Sequence, residues 1–159
     1  MKLGILLSLA MAAQAQLAVR RAPGFALPEP LQGKTHDLQD YRGKVVLIEF
    51  MKTDCPNCQG MTRNLEQVKT KYGAKVQVLS VVTLPDTLAN VRNYVAEHKV
   101  TTPVLFDCGQ MMASYLQITP ANPQVHFPHL VVIDKGGMIR HDIESPELKG
   151  ITAAIEPLL

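Results

Sequence analysis

Two cysteines in the tetrapeptide Cys55-Pro56-Asn57-Cys58 have the types and spacing that most directly suggest chemistry. A cysteine attacks as its thiolate, which the free backbone N–H groups and the dipole at a helix N-terminus stabilise. Lowering a thiol pKa from ~8.5 to ~7 takes only ~2 kcal/mol and raises the thiolate fraction at pH 7 from ~3% to ~50%. Cys58, one helical turn further on, is placed to attack a mixed disulfide formed on Cys55. The pair therefore predicts thiol–disulfide exchange.

Three other interpretations of the pair stay open. A zinc site needs four ligands, but the chain has no second C-x-x-C motif and offers only Cys108 and scattered histidines. A purely structural disulfide would close a very short loop and would therefore add little stability. Two core cysteines could also stand at this spacing by chance. Pro56 favours redox chemistry, because proline suits the first turn of a helix that opens at Cys55.

The pair must be held by the elements on either side of it. Val45–Phe50 is a nearly continuous apolar and β-branched run, which predicts a central strand covered on both faces. After Cys58, apolar residues recur at steps of four, three and four, which predicts a helix that ends at Gly73. These residues are Met61, Leu65, Val68 and Tyr72. Cys55 is thus expected between a buried strand and an amphipathic helix.

The middle of the chain continues to alternate strands and helices. The predicted elements are a strand over Lys75–Val82, a helix near Asp86–His98, a strand near Val104–Phe106 and a short helix near Gln110–Leu116. Leu88, Val91 and Val95 are expected to form the buried face of the second helix. Such alternation is typical of an α/β fold with a largely parallel sheet.

Both ends of the domain depart from this alternation. Leu130–Asp134 and Met138–Ile143 flank a glycine pair, so we expect an antiparallel hairpin there. Ser145-Pro146-Glu147 then opens a last helix, and turn residues between positions 22 and 44 predict a small hairpin near the start. The predicted fold class is α/β, with a central mixed sheet flanked by helices, an N-terminal hairpin and a strand–helix insertion.

The first residues have the pattern of a cleavable secretory leader. Lys2 precedes the apolar stretch Leu3–Ala13, and Ala13-Gln14-Ala15 matches a small-residue cleavage site. A helix over that stretch would span about 16 Å of the ~30 Å hydrocarbon core, so no stable membrane insertion is expected. We expect a signal peptide at residues 1–15 and one soluble domain at residues 16–159, in the periplasm or otherwise outside the cytoplasm.

Composition excludes several classes of protein. Apolar residues make up 47% of the chain and charged residues 19%, which suits a packed core and not a disordered chain. The 16 basic and 14 acidic residues give a formal net charge of +2, too little to recruit nucleic acid through the overall field. Three cysteines are too few for a scaffold held together by disulfides. We therefore expect a globular domain with no nucleic-acid partner.

Four segments of the chain together resemble the thioredoxin superfamily, and within it the exported TlpA/ResA-like thiol:disulfide oxidoreductases related to the AhpC/TSA redoxins. These segments are Ala22-Pro23-Gly24-Phe25, Arg42–Phe50, Cys55-Pro56-Asn57-Cys58 and Phe127–Asp134. The resemblance implies a thioredoxin fold in which Cys55 is the nucleophile and Cys58 the resolving thiol. It implies no resident metal and no cofactor beyond the redox-active disulfide of these two cysteines.

The resemblance also implies a surface that docks the partner. Pro128 matches the family's cis-proline, which lies opposite the active site and helps to dock the partner peptide. Its neighbours Phe127 and His129, together with Pro56 and Asn57, are the other expected partner-binding residues. The expected partners are protein thiols and disulfides, with a membrane thiol reductant as the electron donor. The expected direction is reduction, as in cytochrome c maturation or thiol repair.

Glu49 is the expected acid–base group. It lies six residues before Cys55, where thioredoxins often keep a buried carboxylate. Its apolar neighbours predict burial, which raises a carboxyl pKa and suits proton transfer with Cys58. A glutamate at an exposed strand edge is the alternative.

Two features depart from the family's pattern. Asp54 stands where the family commonly has tryptophan, and its charge opposes ionisation of the neighbouring Cys55, while Lys52 offsets it in part. The segment Thr119–His126 is longer than the usual link to the cis-proline.

Cys108, the third cysteine, is expected to be buried and inert, although an exposed thiol near a helix N-terminus would exchange with the pair.

Two other activities stay open at the level of sequence. A peroxiredoxin-type peroxidase carries a P-x-x-x-T-x-x-C signature, whereas here Thr53 lies two residues before Cys55 and no proline precedes it. A copper-delivery module of the thioredoxin fold would add His126 and His129 to the two cysteines as ligands for Cu(I). Such modules typically space their cysteines by three residues, and this chain spaces them by two.

Overall fold

The computed structural model describes residues 19–145 and 147–159, so the predicted signal peptide and Pro146 lie outside the described residues. The strands are β1 (Arg20–Arg21), β2 (Ala26–Glu29), β3 (Lys34–Asp37), β4 (Val45–Phe50), β5 (Val76–Thr83), β6 (Val104–Asp107), β7 (His129–Ile133) and β8 (Met138–Ile143). The α-helices are α1 (Pro56–Tyr72), α2 (Leu88–His98), α3 (Gln110–Tyr115) and α4 (Leu148–Ile155). None of the helices in the described ranges has the length and apolar character needed to cross a membrane.

Six of the strands form one mixed sheet in the order β1-β8-β7-β4-β5-β6. β4, β5 and β6 run parallel to one another, whereas β7 pairs antiparallel with both β4 and β8. β2 and β3 form a separate antiparallel hairpin. The predicted mixed sheet and N-terminal hairpin are therefore confirmed, and β6 with α3 forms the predicted strand–helix insertion.

β4 is the central strand of the sheet, and all six of its residues are buried. Side chains alternate between the two faces of a strand, so each face of β4 contributes to a different part of the core. One face carries Val46, Ile48 and Phe50, which belong to a cluster with Met111 and Tyr115 of α3. The opposite face carries Val45 and Leu47, which belong to a cluster with residues of α1 and α4, including Met61, Leu65, Ile151 and Ile155.

α1 follows β4 after a short loop and begins where the motif predicts. Cys55 is its N-cap residue and Pro56 its first residue, so the helix includes the last three residues of the cysteine motif. The predicted face is buried at Met61, Leu65 and Val68. The helix ends at Gly73, whose positive φ of 53° is a conformation that glycine adopts without steric cost.

Three local features differ from the sequence-based expectations. α2 buries Val91 and Tyr94, whereas Leu88, its first residue, is 40% exposed. α4 begins at Leu148 with Glu147 as its N-cap, two residues later than the predicted Ser145. β1 pairs with β8 at the edge of the sheet, and no strand was expected there. Each of these positions depends on packing against a neighbouring element and not on the local pattern alone.

Candidate active site

Cys55 and Cys58 lie just beyond the carboxyl end of β4, at the start of α1. Their sulfur atoms are at disulfide-bonding distance, and their Cα atoms are 5.2 Å apart, as is usual for a protein disulfide. The backbone N–H of Cys58 donates a hydrogen bond to Sγ of Cys55 over 3.2 Å. Free N–H groups in the first turn of a helix are donors of the kind that favour a thiolate.

The two cysteines differ in their access to solvent. Cys55 is partly exposed, whereas the side chain of Cys58 is fully buried. Cys58 belongs to an apolar cluster that includes Met51, Val82 and Tyr94. A protein partner can therefore reach the sulfur of Cys55 but not that of Cys58.

The segment before β7 brings the predicted partner-binding residues to Cys55. The carbonyl oxygen of Phe127 lies 3.9 Å from Sγ of Cys55, and the Phe127–Pro128 peptide bond is cis. Pro128 is buried, and Pro56 and Asn57 are exposed at the start of α1. The Phe127 carbonyl therefore lies beside the accessible sulfur, and Pro56 and Asn57 directly follow Cys55 on α1.

His129 follows the cis-proline and pairs across the sheet with Phe50, the last residue of β4. Its Nδ1 lies 2.9 Å from Oδ1 of Asp142, and its Nε2 lies 3.8 Å from Oε1 of Glu144. The hydrogen bond to Asp142 raises the pKa of the His129 imidazole, against the opposite effect of its partial burial. His126 is exposed in the loop before Phe127. Within residues 19–145 and 147–159, no group of three or more His, Cys, Asp or Glu side chains is arranged to hold a metal ion.

The loop between β4 and Cys55 carries two charged residues whose environments differ. Asp54, directly before Cys55, is exposed to solvent. The ammonium group of Lys52 lies 5.2 Å from the centroid of the Phe127 ring, in cation–π range. Lys52 is thus placed at the rim of the site, against a residue that the sequence assigns to partner binding.

The same loop is tethered by Asp86, which the sequence reading did not single out. Asp86 is buried and lies in the loop between β5 and α2. Its carboxylate accepts a hydrogen bond from the backbone N–H of Thr53 at 3.1 Å and another from the Thr53 hydroxyl. This pair of contacts fixes the backbone two residues before Cys55.

Glu49 is fully buried on β4, as its apolar neighbours predict, so the exposed-edge alternative is wrong. Thr62 donates to both carboxyl oxygens at 2.9 and 3.1 Å, and Ser80 donates to Oε2 at 3.0 Å. Burial raises the pKa of Glu49 to about 8, although the two hydroxyl donors act in the opposite direction. A carboxyl group with that pKa can exchange protons at neutral pH.

The hydroxyl groups around Glu49 were missed at the sequence level. Ser80 on β5 pairs directly with Glu49 across the parallel strands. Tyr94 on α2 donates to Oγ1 of Thr62 at 2.8 Å. Thr62 gave the one available signal, because a polar residue four positions after Cys58 falls on the buried face of α1.

The expectation for Cys108 was wrong, since this cysteine is free and exposed. It follows the end of β6, where the buried neighbour Asp107 turns inward instead. The Asp107 carboxylate accepts hydrogen bonds from the backbone N–H groups of Met111 and Met112 and so caps the first turn of α3. The residue that fills the interior at this turn is the aspartate, and the thiol points to solvent.

Comparison with known proteins assigns the chain to a family. The sequence profile of the AhpC/TSA family matches residues 19–142, which is more than half of the chain. The chain belongs to the AhpC/TSA family. This redoxin is 26% identical over 130 residues to a thiol-disulfide oxidoreductase ResA of Bacillus thuringiensis subsp. konkukian, covering 82% of this chain and 71% of the relative. It is 28% identical over 123 residues to the thioredoxin-like protein YneN of Bacillus subtilis, covering 76% of this chain and 68% of the relative.

Solved structures confirm the thioredoxin fold of this AhpC/TSA redoxin. A thiol:disulfide interchange protein of the thioredoxin family from Chlorobium tepidum superposes with a TM-score of 0.71 at 18% identity, covering 88% of this chain and 96% of that structure. The exposed lipoprotein thioredoxin of Streptococcus pneumoniae superposes with a TM-score of 0.71 at 23% identity, covering 86% of this chain and 100% of that structure. The family and the fold that the motif segments predict are both confirmed.

Proposed function

We propose that this redoxin is a thiol:disulfide oxidoreductase that exchanges disulfides with protein partners through Cys55 and Cys58. The observation that carries this proposal is the contrast within the pair: an accessible sulfur at the N-terminus of α1, within bonding distance of a fully buried one. The family match and the names of the relatives support the same activity. In this proposal the disulfide itself is the redox group, and no further cofactor takes part.

The exchange begins with the reduced protein. The thiolate of Cys55 attacks one sulfur of a partner disulfide, the partner's S–S bond breaks, and one partner sulfur leaves as a thiolate. The two proteins are then joined by a mixed disulfide at Cys55. This first step uses the nucleophile that the partner can reach.

The buried cysteine completes the reaction. Cys58 loses its proton, and its thiolate attacks Sγ of Cys55, so that the second partner sulfur leaves as a thiolate. The partner disulfide is reduced to two thiols, which take up protons from water, and the protein keeps the Cys55–Cys58 disulfide. We assign the proton transfer to Glu49, because a carboxyl group with a pKa of about 8 exchanges protons in the neutral range.

The surface around Cys55 is proposed to dock the partner chain. The Phe127 carbonyl oxygen lies beside the nucleophilic sulfur, and a partner's backbone N–H can donate to it there. Pro128, Pro56 and Asn57 frame the same sulfur, and His129 directly follows the cis-proline. His129 is half-buried, and its imidazole is hydrogen-bonded to Asp142. We therefore assign it the role of holding this surface in place.

We further propose that the protein works outside the cytoplasm as a reductant, with residues 1–15 as a signal peptide and residues 16–159 as the working domain. The leader-like pattern of the first residues supports this location. Similarity to an exposed lipoprotein thioredoxin fits it as well. In this setting a membrane thiol carrier supplies the electrons that regenerate the Cys55 and Cys58 thiols.

Trapping with Cys58→Ser in a Cys108→Ser background tests the proposal, because the exposed Cys108 thiol would otherwise form adducts of its own in every variant. This variant cannot resolve a mixed disulfide, so Cys55 should accumulate covalent, thiol-reversible adducts with proteins of a periplasmic extract. The matched control is Cys55→Ser, which keeps the buried thiol and should capture none. Absence of adducts with Cys58→Ser, or equal capture by both variants, contradicts the proposal. The equilibrium potential of the pair against glutathione tests the direction, since a reductant lies well below about −200 mV and an oxidant near −120 mV.

A further inference from the structure

Hydroxyl groups from three different elements form a chain that ends at the Glu49 carboxyl group. Thr62 of α1 and Ser80 of β5 donate directly to the carboxyl oxygens. Tyr94 of α2 donates to Oγ1 of Thr62 over 2.8 Å and so forms the far end of the chain. All of these residues are buried, and Tyr94 is only 3% exposed. Burial has the largest effect on the pKa of Glu49, and the hydrogen bonds from Thr62 and Ser80 act against it.

The tyrosine fixes the direction in which the threonine donates. A hydroxyl group has one proton to donate and two lone pairs that accept. Tyr94 occupies one lone pair of Thr62, and the threonine proton is left for Glu49, whose oxygens lie at 2.9 and 3.1 Å, or for the weaker acceptor Sδ of Met51 at 4.0 Å. Donors aimed at a carboxyl group favour its charged form and so oppose the effect of burial.

Thr62 shares a helix face with the buried cysteine. Thr62 lies four residues after Cys58 on α1, and residues four apart lie on the same face of a helix. Cys58 and Tyr94 belong to the same apolar cluster. The threonine that holds the carboxyl group therefore lies about one turn after the resolving thiol on the same helix face.

We propose that Thr62 and Tyr94 are positioning residues for Glu49: the Thr62 hydroxyl, oriented by Tyr94, holds the carboxylate ready to take the proton of Cys58 during resolution. This inference rests on the proposed function. In the step, the proton leaves Sγ of Cys58 and bonds to a carboxyl oxygen of Glu49. The electron pair left on Cys58 forms the bond to Sγ of Cys55, and the partner sulfur leaves with the electrons of the broken bond.

The strand positions beside Glu49 carry no charged group that could control its protonation in place of the hydroxyl chain. The neighbouring positions on β5 and β7 are Ser80 and Leu130, which are both uncharged. Burial raises the pKa of Tyr94 to about 12, so the phenol stays protonated through the neutral range, and Arg63 of α1 acts electrostatically on that phenol. Cys58, the proton donor of the proposed step, is the titratable group on the adjoining turn of α1.

Removing the threonine hydroxyl should move the protonation of Glu49. Thr62→Val keeps the shape of the side chain and deletes the donor, so the carboxylate loses a hydrogen bond and the Glu49 midpoint should rise by about one pH unit. Tyr94→Phe removes the donor that orients the Thr62 hydroxyl and should raise the midpoint by a smaller amount. Thr62→Ser keeps the hydroxyl and should restore the wild-type midpoint.

Two measurements on the full chain, made in a Cys108→Ser background, test the inference. The carboxyl infrared band of the reduced protein gives the Glu49 midpoint directly, with Glu49→Gln used to assign the band. Reaction with an aromatic disulfide whose thiolate absorbs visible light releases one thiolate when Cys55 attacks and a second when Cys58 resolves. The pH at which the second release is half-maximal should follow the infrared midpoint across wild type, Thr62→Val, Thr62→Ser and Tyr94→Phe.

The outcomes separate the inference from the function on which it rests. An unchanged or lowered Glu49 midpoint in Thr62→Val, or no rescue by Thr62→Ser, overturns the inference. A midpoint that moves while the second release keeps its pH profile overturns it as well, because Glu49 would then not take the proton of Cys58. A wild-type protein that never releases the second thiolate contradicts the proposed function itself. Should Thr62→Val fail to fold, Tyr94→Phe carries the same test with a smaller expected shift.

Discussion

Replacing Glu49 with glutamine should stabilise the folded protein increasingly as the pH rises. Burial raises the pKa of Glu49 from its ordinary 4.5 to about 8. Between these two values the folded protein retains a proton that the unfolded chain releases. The free energy of unfolding of the wild type therefore falls as the pH rises through that window. Glutamine has nearly the same shape and does not titrate, so Glu49→Gln removes this loss.

The size of the effect follows from the width of the window. Each pH unit within it changes the free energy of unfolding by about 1.4 kcal/mol. Between pH 5 and pH 8 the wild type should thus lose about 3 kcal/mol relative to Glu49→Gln. That is a large fraction of the stability of an ordinary domain, so it should be visible above experimental error.

Urea unfolding of the oxidised proteins at several pH values measures the difference. Glu66→Gln is the matched control, because the hydrogen bonds that the Glu66 carboxylate accepts from Thr101 and Thr102 outweigh its burial and lower its pKa. The stability that the Glu66 carboxylate contributes is lost only at acidic pH. The difference in free energy of unfolding between wild type and Glu66→Gln should therefore stay constant between pH 5 and pH 8. A Glu49→Gln difference that is equally flat, or that shrinks as the pH rises, would refute the account of a buried carboxyl group that keeps its proton.

Three further outcomes are expected. The His129 imidazole should titrate above 6.5 in an NMR experiment, since its hydrogen bond to Asp142 raises its pKa. Asp142→Asn should lower that midpoint, and an unchanged midpoint would contradict the pairing of the two side chains. Leu65→Ala should lower the free energy of unfolding, measured in urea, by about 2–5 kcal/mol because Leu65 is fully buried. Leu84→Ala is the control, because Leu84 is 78% exposed and its loss should change that free energy by about 0.5 kcal/mol or less. The native oxidised protein should take up one equivalent of a thiol alkylating agent at the exposed Cys108; no uptake without denaturant would show that this thiol is buried.

The elements that hold the cysteine motif were predictable from local sequence. The run Val45–Phe50 is apolar except for Glu49, short and rich in β-branched residues, which favours a strand covered on both faces. The apolar steps through Met61, Leu65 and Val68 match one face of a helix, and that face is buried. Since the motif lies between these two elements, the position of Cys55 at the helix N-terminus followed from them.

Features that depend on how elements pack were not predictable in the same way. On α2, the pattern placed Leu88 inside, but Tyr94 is buried and Leu88 is the exposed first residue of the helix. Cys108 was assigned to the interior on the general preference of cysteine, whereas its neighbour Asp107 takes the inward position to cap α3. β1 has only two residues and no apolar pattern that would reveal its pairing with β8.

In the candidate site, too, the local features were predictable and the contacts between separate elements were not. Cys55, Cys58 and the burial of Glu49 could be read from residues close together in the chain. The contacts around Glu49 could not, because Ser80 and Tyr94 come from separate elements and meet the carboxyl region only once β5 and α2 pack beside β4 and α1. The same holds for Asp86, which lies 33 positions from Thr53 in the sequence and touches it in the fold.

The ionisation of Cys55 is the property on which the whole account depends, and the pH dependence of alkylation of the reduced protein measures it most directly. Peptide mapping after brief labelling follows Cys55 and Cys58 separately in the same sample. We predict that Cys55 reacts with a midpoint well below the ~8.5 of a free cysteine, while Cys58 stays unlabelled until the protein is unfolded. Equal, slow labelling of both thiols with the midpoint of free cysteine would contradict the account.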